Sequence, residues 1–315
     1  MGPKRLNMSI FTITNDASNK DIPEGVNLHE ARDYYITMRN NFNSKLTPPV
    51  VTAYENKFIF RGDASAGSLK CYGSEQLIAE CHEDILVYCA PRAGMAMDAI
   101  AMLAELYGKR CVFFCPASAE PSKHQKALLA YGADLRFVKI AAMPVLNSFA
   151  KRWAEQHGAK YLPFGLSNTP SVTSGIINLA GQISNQIGYD PTEIWMSVST
   201  GTAIRALQIA WPNAACRGVV VSRNMHAGEI GRASLWSSNV PFLKDAPLSK
   251  QPPFPSTANY DSKCWDDFQN FGIKDSIFIN VGSDDKIDKL CDEVKNIKIN
   301  SQREWGDTRD LDVGP

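Results

Sequence analysis

From about residue 80 the chain alternates between short apolar runs and longer segments whose apolar residues recur every three or four positions. The apolar runs have the length of strands, and the longer segments have the spacing of helices, several of which stop at a glycine. In this first series the predicted strands are 84–90, 110–116 and 133–140, and the predicted helices are 95–108, 121–132 and 143–158. Strands as apolar as these are typical of a parallel sheet that helices cover on both faces.

A second series begins near residue 170. Its predicted helices are 171–188, 202–212 and 286–296, and its predicted strands are 193–199, 217–223 and 276–282. Residues 236–262 are rich in Pro, Ser and Asn and are predicted to be irregular. The sequence therefore predicts an α/β fold with two lobes, each a mostly parallel sheet covered by helices. We assign 1–78 and 166–315 to a larger domain and 79–165 to a smaller one.

Charge and cysteine usage limit the possible partners. Lys and Arg number 33, as do Asp and Glu, so the formal net charge is zero and there is no clear nucleic-acid signature. No run approaches the ~20 apolar residues of a membrane span, and the N-terminus has no long apolar core typical of a signal peptide. The eight cysteines form no C-x-x-C pair, which is typical of reduced thiols. We expect a cytoplasmic protein with no membrane partner and no metal site, in which His124 is a solvated helix residue.

Two segments carry candidate chemistry. Residues 198–207 (VSTGTAIRAL) form a turn of small and hydroxyl residues between a predicted strand and a predicted helix, a pattern that can bind a phosphate and that also fits a helix which is merely well capped. Lys70 lies between a Gly/Ser-rich approach and the first turn of a predicted helix (GSLKCYGSEQLI, 67–78). Most lysines are solvated surface groups, so its position alone does not assign it a role.

Five segments, in consistent order over roughly residues 60–230, resemble the fold-type II pyridoxal-phosphate enzymes. This is the tryptophan synthase β-like group, which includes threonine dehydratase, cysteine synthase and aminocyclopropane carboxylate deaminase. The segments are 66–78 (AGSLKCYGSEQLI), 91–116 (PRAGMAMDAIAMLAELYGKRCVFFCP), 115–138 (CPASAEPSKHQKALLAYGADLRFV), 161–183 (YLPFGLSNTPSVTSGIINLAGQI) and 198–207. They are similar to the family's S-F-K-x-R-G-A segment, its substrate loop, its P-x-x-K…G-A run, its P-F-x-[ND]-P passage and its phosphate cup.

The resemblance implies a cofactor, pyridoxal 5'-phosphate, and a role for each matching residue. Lys70 forms the Schiff base and then acts as general base. The larger domain holds the phosphate and the smaller one carries the substrate loop; family members are commonly homodimers. The implied cofactor contacts are Ser199, Thr200, Gly201 and Thr202 at the phosphate, Met95 at the ring and Ser283 at the ring nitrogen. The implied substrate contacts are Ser68, Arg92, Ala93 and Gly94.

Three positions depart from the family pattern. Arg92 stands where the family has serine, Met95 where it has asparagine, and Tyr72 where it has arginine. We expect a lyase or β-replacement enzyme of amino-acid metabolism whose substrate is an amino acid, or an amino-acid moiety on a larger molecule such as a peptide, nucleotide or modified base. Two alternatives remain open: a non-catalytic binding or regulatory protein with this fold, and an α/β protein that binds another phosphorylated ligand without pyridoxal phosphate.

Overall fold

The structure is a computed structural model that describes residues 19–118, 120–139, 142–222, 225, 228–238, 240–242 and 244–299. The chain divides into two compact units. The first unit is Met1–Leu69 with Thr173–Gly282, and the second is Lys70–Val172 with Ser283–Pro315. The predicted domains, 1–78 with 166–315 and 79–165, stay a prediction. The N-terminal residues on which the signal-peptide interpretation rests lie outside the described part of the chain.

The helices and strands follow the alternation of the sequence. In chain order they are α1 (Leu28–Thr37), β1 (Val51–Tyr54), β2 (Lys57–Arg61), α2 (Leu69–Ala79), β3 (Ile85–Cys89), α3 (Met95–Leu106), β4 (Arg110–Pro116), α4 (Lys123–Ala127), β5 (Asp134–Val138), α5 (Met143–Gln156), β6 (Lys160–Tyr161), α6 (Pro170–Ile187), β7 (Glu193–Val198), α7 (Thr202–Ala210), β8 (Ala215–Val220), β9 (Ser234–Ser237), α8 (Ser262–Phe271), β10 (Ser276–Asn280) and α9 (Asp284–Glu293). Short 3-10 turns occupy Leu128–Tyr131, Phe164–Leu166 and Leu248–Lys250.

The first unit is built on a six-stranded sheet in the order β1-β2-β10-β7-β8-β9. Strand β1 pairs antiparallel with β2, and the other neighbours are parallel. The side chains of Trp265 and Phe268 on α8 pack against Trp195, Val219 and Phe278 of the sheet, and all five are buried. Burying these large apolar side chains is the main force that holds α8 to the sheet.

The second unit is built on a four-stranded parallel sheet in the order β5-β4-β3-β6. Leu146, Phe149 and Trp153 recur at helical spacing along α5 and pack on Val87 and Phe114 of the sheet. Both sheets are mostly parallel, so the predicted α/β fold class is confirmed. Within the described ranges, no helix is long and apolar enough to cross a membrane.

Some elements differ from the sequence prediction. The predicted helix 121–132 is a short α4 followed by a 3-10 turn, which ends where Gly132 adopts a left-handed conformation with φ of 68°. The predicted helix 202–212 ends at Ala210, since Pro212 disfavours helical backbone at the residue before it. Six elements were not predicted, namely α1, β1, β2, β6, β9 and α8.

Candidate functional site

Lys70 lies in the first turn of α2, as the sequence predicts. Its Nζ donates a hydrogen bond to the carbonyl oxygen of Gly165, at 3.1 Å, in the Phe164–Leu166 turn. The Ser74 hydroxyl, one turn along α2, donates to the Lys70 carbonyl at 2.6 Å. The amine is therefore held within the second unit at a defined position, rather than extended into solvent as a surface lysine would be.

The turn that holds Lys70 has an unusual backbone. Gly165, Leu166 and Asn168 all have positive φ, of 68°, 56° and 53°. Positive φ is uncommon for leucine, and such strain persists only where the surrounding structure enforces it. Part of that enforcement comes from the fully buried Tyr88 of β3, whose hydroxyl accepts a hydrogen bond from the Gly165 N–H at 3.0 Å.

Tyr88 keeps its proton in this setting. Burial raises the pKa of Tyr88 well above its ordinary value of 10, although the bond from Gly165 opposes the rise. Its ring also stacks on Phe164, with centroids 6.3 Å apart and planes 12° apart. A neutral tyrosine at the end of β3 therefore fixes the turn that accepts from Lys70.

Residues 92–94 connect β3 to α3. Arg92 is exposed, and its Nη1 lies 3.5 Å from the carbonyl oxygen of Glu120. Gly94 is the N-cap of α3 with φ of 141° and ψ of 149°, a conformation that favours glycine. Met95, the first residue of α3, is buried. Residues 92–94 thus lead directly into the N-terminus of α3. The side chain of Arg92 extends toward solvent.

Ser283 is the buried N-cap of α9, and its Oγ accepts a hydrogen bond from the N–H of Asp285 at 3.0 Å. A hydroxyl that accepts at a helix cap still has its own hydrogen to donate. In the first turn of α9, Lys286 Nζ lies 3.2 Å from Oδ2 of Asp98, which is buried in the first turn of α3. The turns that carry Met95 and Ser283 are therefore tied together by an ion pair.

His124 corrects one prediction: it is buried, not solvated. Helix α4 packs on α9, so that His124 Nε2 lies 3.9 Å from Oδ1 of Asp284, the residue after Ser283. Burial lowers the pKa of His124 and outweighs the opposing effect of Asp284. No local pattern predicts this contact, because α4 and α9 are about 160 residues apart along the chain.

Residues 199–202 form a cup in the first unit, between the end of β7 and the start of α7. The hydroxyls of Thr200 and Thr202 lie 3.2 Å apart, and Ser222 Oγ donates to Ser199 Oγ at 2.9 Å. Gly201 is the N-cap, so no side chain caps the helix there. The N-terminus of a nine-residue helix with three hydroxyls around it is suited to an anion such as phosphate.

Only glycine fits at position 201. Its φ is 73°, and a Cβ added there would lie 1.8 Å from the carbonyl oxygen of Glu229. The close approach of the Glu229 backbone supports the cup from behind. Ser68, also in the first unit, is buried immediately before α2, and the next N–H, of Leu69, donates to Val281 O at 3.2 Å.

The chemistry of these groups fits pyridoxal phosphate. A primary amine suits its aldehyde, hydroxyl and backbone N–H groups suit its phosphate, and the Ser283 hydroxyl suits its ring nitrogen. Met95 fits less well, since a thioether is at best a weak acceptor where an asparagine would both donate and accept. In the part of the chain that the structure describes, no three His, Cys, Asp or Glu side chains group as metal ligands would.

Comparison with known proteins identifies the family. The profile of the family described as "Pyridoxal-phosphate dependent enzyme" matches residues 64–232, more than half of the chain. The chain belongs to this family of pyridoxal-phosphate-dependent enzymes. The resemblance and the cofactor predicted from the sequence are thereby confirmed. Among curated protein sequences, none matches the chain.

Several solved structures share the fold of this chain at low sequence identity. An ACC deaminase homologue has a TM-score of 0.68 at 15% identity, over 81% of this chain and 98% of its own. Threonine deaminase isoform 2 from Solanum lycopersicum has a TM-score of 0.64 at 13% identity, over 94% of each chain. Diaminopropionate ammonia lyase from Escherichia coli has a TM-score of 0.59 at 14% identity, over 91% of this chain and 98% of its own.

Proposed function

We propose that this pyridoxal-phosphate-dependent enzyme is a lyase or β-replacement enzyme that acts on an amino acid or on an amino-acid moiety carried by a larger molecule. The observation that carries the proposal is the placement of the Lys70 amine, in the first turn of α2 and on the Gly165 carbonyl. It acts in the cytoplasm as a homodimer, as the sequence led us to expect.

Each residue has a role in this proposal. Lys70 would hold the cofactor covalently through its amine, and the same amine would move a proton at the substrate α-carbon. Residues 199–202 bind the phosphate, and Ser68 with residues 92–94 binds the substrate carboxylate. When bound, pyridoxal phosphate supplies the electron sink for the reaction. Ser283 would donate its hydroxyl hydrogen to the ring nitrogen, and a neutral partner there would favour elimination or replacement.

The chemistry named for the three structural neighbours supports the reaction class. Two are deaminases or homologues of one, and the third is an ammonia lyase. All three names describe release of an amino group, so elimination from an amino acid is the first reaction to assay. Neither the amino acid nor the leaving group follows from those names.

The departures at Arg92 and Met95 support a substrate with a larger body. Arg92 is exposed in the substrate loop and can form a bidentate ion pair with a substrate carboxylate that lies toward solvent, as that of an amino-acid moiety on a larger body would. The buried thioether of Met95 makes the cofactor face less polar than the family's asparagine would. A small free amino acid needs neither feature.

The test is release of ammonia and 2-oxo acid from a panel of free amino acids and of N-terminal or side-chain-extended derivatives. We expect turnover that Lys70→Ala abolishes and that Lys126→Ala, at a partly exposed lysine on α4, retains. Free serine or threonine turned over with ordinary efficiency would contradict the larger substrate. No turnover in a protein that holds the cofactor would favour a second candidate, a non-catalytic binding protein, which Met95 at the family's asparagine position supports.

A further inference from the structure

Arg205 is one of the most deeply buried charged residues of the first unit, with 2% of its surface exposed. It lies on α7, one turn beyond the cup formed by residues 199–202. Arginine is almost never buried this completely without a paired charge and hydrogen bonds. The groups that it contacts therefore indicate what it does.

The guanidinium joins three separate parts of the chain. Its Nε donates to Oδ2 of the buried Asp21 at 3.0 Å, and its Nη2 lies 3.5 Å from Oδ1 of the same carboxylate. Its Nη1 donates to two carbonyl oxygens, that of Thr200 at 3.3 Å and that of Glu229 at 2.6 Å. The first carbonyl belongs to the cup, and the second is the one against which Gly201 packs.

The N-terminal segment is also attached to this helix. The Asn19 side chain donates from Nδ2 to the carbonyl oxygen of Arg205 at 2.9 Å, and its Oδ1 accepts from the N–H of Asp21 at 3.0 Å. Both asparagine and aspartate are buried. Residues 19–21 thus contact α7 in two ways, through the backbone carbonyl of Arg205 and through its guanidinium.

We propose that Arg205 is a positioning residue of the phosphate cup, oriented by Asp21, and that residues 19–21 are therefore part of the cofactor site. The proposal rests on the proposed function, in which residues 199–202 bind the phosphate. The guanidinium binds the carbonyl of Thr200, which precedes Gly201, and the carbonyl of Glu229, which packs against Gly201. It therefore fixes both segments of backbone around this glycine. The N–H groups that follow then keep one direction, as a preorganised anion site requires.

Orientation, rather than charge, is the contribution of Arg205. Its charge is paired with that of Asp21, and its Nε, Nη1 and Nη2 atoms each contact a carbonyl or carboxylate oxygen. Lysine at this position keeps the charge but has no planar fork, so it cannot serve the same three partners together. The conservative change is therefore the informative one.

The experiment compares Arg205→Lys with Arg217→Lys. Arg217 on β8 pairs with the buried Glu193 at 2.8 Å, in the same unit and through the same atom type. Glu193 begins β7 and Ser199 follows the end of β7, so Glu193 lies roughly 20 Å from the cup along the strand, at about 3.3 Å per residue. For each protein one measures the Kd of pyridoxal phosphate, the Kd of pyridoxal, and the Tm.

We expect Arg205→Lys to raise the Kd of pyridoxal phosphate about tenfold, as loss of a hydrogen bond that orients a metal ligand does at metal sites, and to leave the Kd of pyridoxal unchanged. Arg217→Lys changes neither constant. An equal loss for both compounds, or no loss for either, overturns the proposal and leaves Arg205 a structural residue. If Arg205→Lys does not fold, Asp21→Asn, which keeps the guanidinium, is expected to show the same selective loss at smaller size.

The outcome for the parent protein separates the two claims. A parent that binds pyridoxal phosphate more tightly than pyridoxal keeps the proposed function, whatever the variants do. A parent that binds neither compound contradicts both the proposed function and this inference. A parent that binds both compounds equally contradicts the phosphate role of residues 199–202 alone.

Discussion

The amine of Lys70 and the carbonyl oxygen of Gly165 lie 3.1 Å apart, and the N–H of the same glycine binds Tyr88 at 3.0 Å. One glycine therefore contacts both the candidate Schiff-base lysine and a buried tyrosine of the central strand β3. The contact that positions Lys70 depends on the strained turn around Gly165. The hydrogen bond from the Gly165 N–H to Tyr88 helps to hold that turn in its strained conformation. This arrangement gives the first prediction.

Tyr88→Phe removes the acceptor of a buried N–H group. We expect the free energy of unfolding to fall by about 1–2 kcal/mol, because the Gly165 N–H loses its partner inside the protein. We also expect weaker retention of pyridoxal phosphate, since the turn that holds Lys70 loosens. Urea unfolding and cofactor titration measure the two effects. Tyr189→Phe, which removes an exposed bond to Asp275, is the control and leaves both unchanged.

Gly201→Ala tests the packing behind the cup. The new Cβ would lie 1.8 Å from the Glu229 carbonyl oxygen, and the left-handed backbone adds strain, so we expect a loss of about 3 kcal/mol or more and no cofactor binding. Gly188→Ala is the matched control, with φ of 88° and nothing within 4 Å of the new Cβ. It should cost about 1–2 kcal/mol and leave cofactor affinity intact. Similar losses of unfolding free energy for both variants would mean that the left-handed backbone, rather than the contact with Glu229, causes the loss.

The ion pair between Lys286 and Asp98 links the turns that carry Ser283 and Met95. The buried Asp98 carboxylate contacts both Lys286 and the Tyr131 hydroxyl, and Lys286→Met removes the charged partner of the two. We expect a loss of about 2 kcal/mol in unfolding free energy. Lys126→Met removes the exposed pair with Glu120 and should have no measurable effect. An equally small effect for Lys286→Met would show that the pair does not hold the two turns.

Regular apolar patterns were enough to predict most of the sheet and its covering helices. Strand β4 coincides with the predicted 110–116, and α5 and α6 begin within one residue of their predicted starts. These segments bury one whole face or both faces, so their hydrophobic residues repeat clearly. Lys70 was predicted for a different reason. It lies in one of five family motifs that keep their order along the chain even where single residues have changed.

Some of the elements that were missed bury little surface. Helix α1 buries only Ala31 and Tyr35, so its sequence has no clear apolar stripe, and it is fixed instead by the capping box of Asn27 and Glu30. Strands β1 and β9 have four residues each, too short for a reliable alternation. The partners of Arg205 were also invisible, since Asp21 is 184 residues away and nothing local marks the pairing.

Asp267 on α8 gives a prediction for pH dependence. Burial, with a smaller effect of Asp266, raises the pKa of Asp267 from its ordinary value of 3.8 to about 6. Ionising it is therefore harder in the folded protein than in the unfolded chain, so stability falls as pH rises from about 4 to about 6 and stays lower above that. Such a rise corresponds to ~3 kcal/mol, which screening by solvent at a partly exposed site reduces to about 1 kcal/mol.

Asp267→Asn should remove this cost. We expect the variant to be more stable than the parent at pH 8 by about 1 kcal/mol and equally stable at pH 3.5, where the carboxyl is protonated in both states. Thermal unfolding across that pH range measures the difference. A gain in stability that is the same at every pH would show that packing of the amide, rather than titration of Asp267, is responsible.

The central claim is that Lys70 is the residue that holds pyridoxal phosphate. The most direct test is borohydride reduction of the protein loaded with the cofactor, followed by proteolysis and mass spectrometry of the lysine-containing peptides. We predict a yellow protein whose visible band disappears on reduction, with the pyridoxyl group on Lys70 and no label in Lys70→Ala. A label on another lysine, or a protein that takes up no cofactor, would contradict the account.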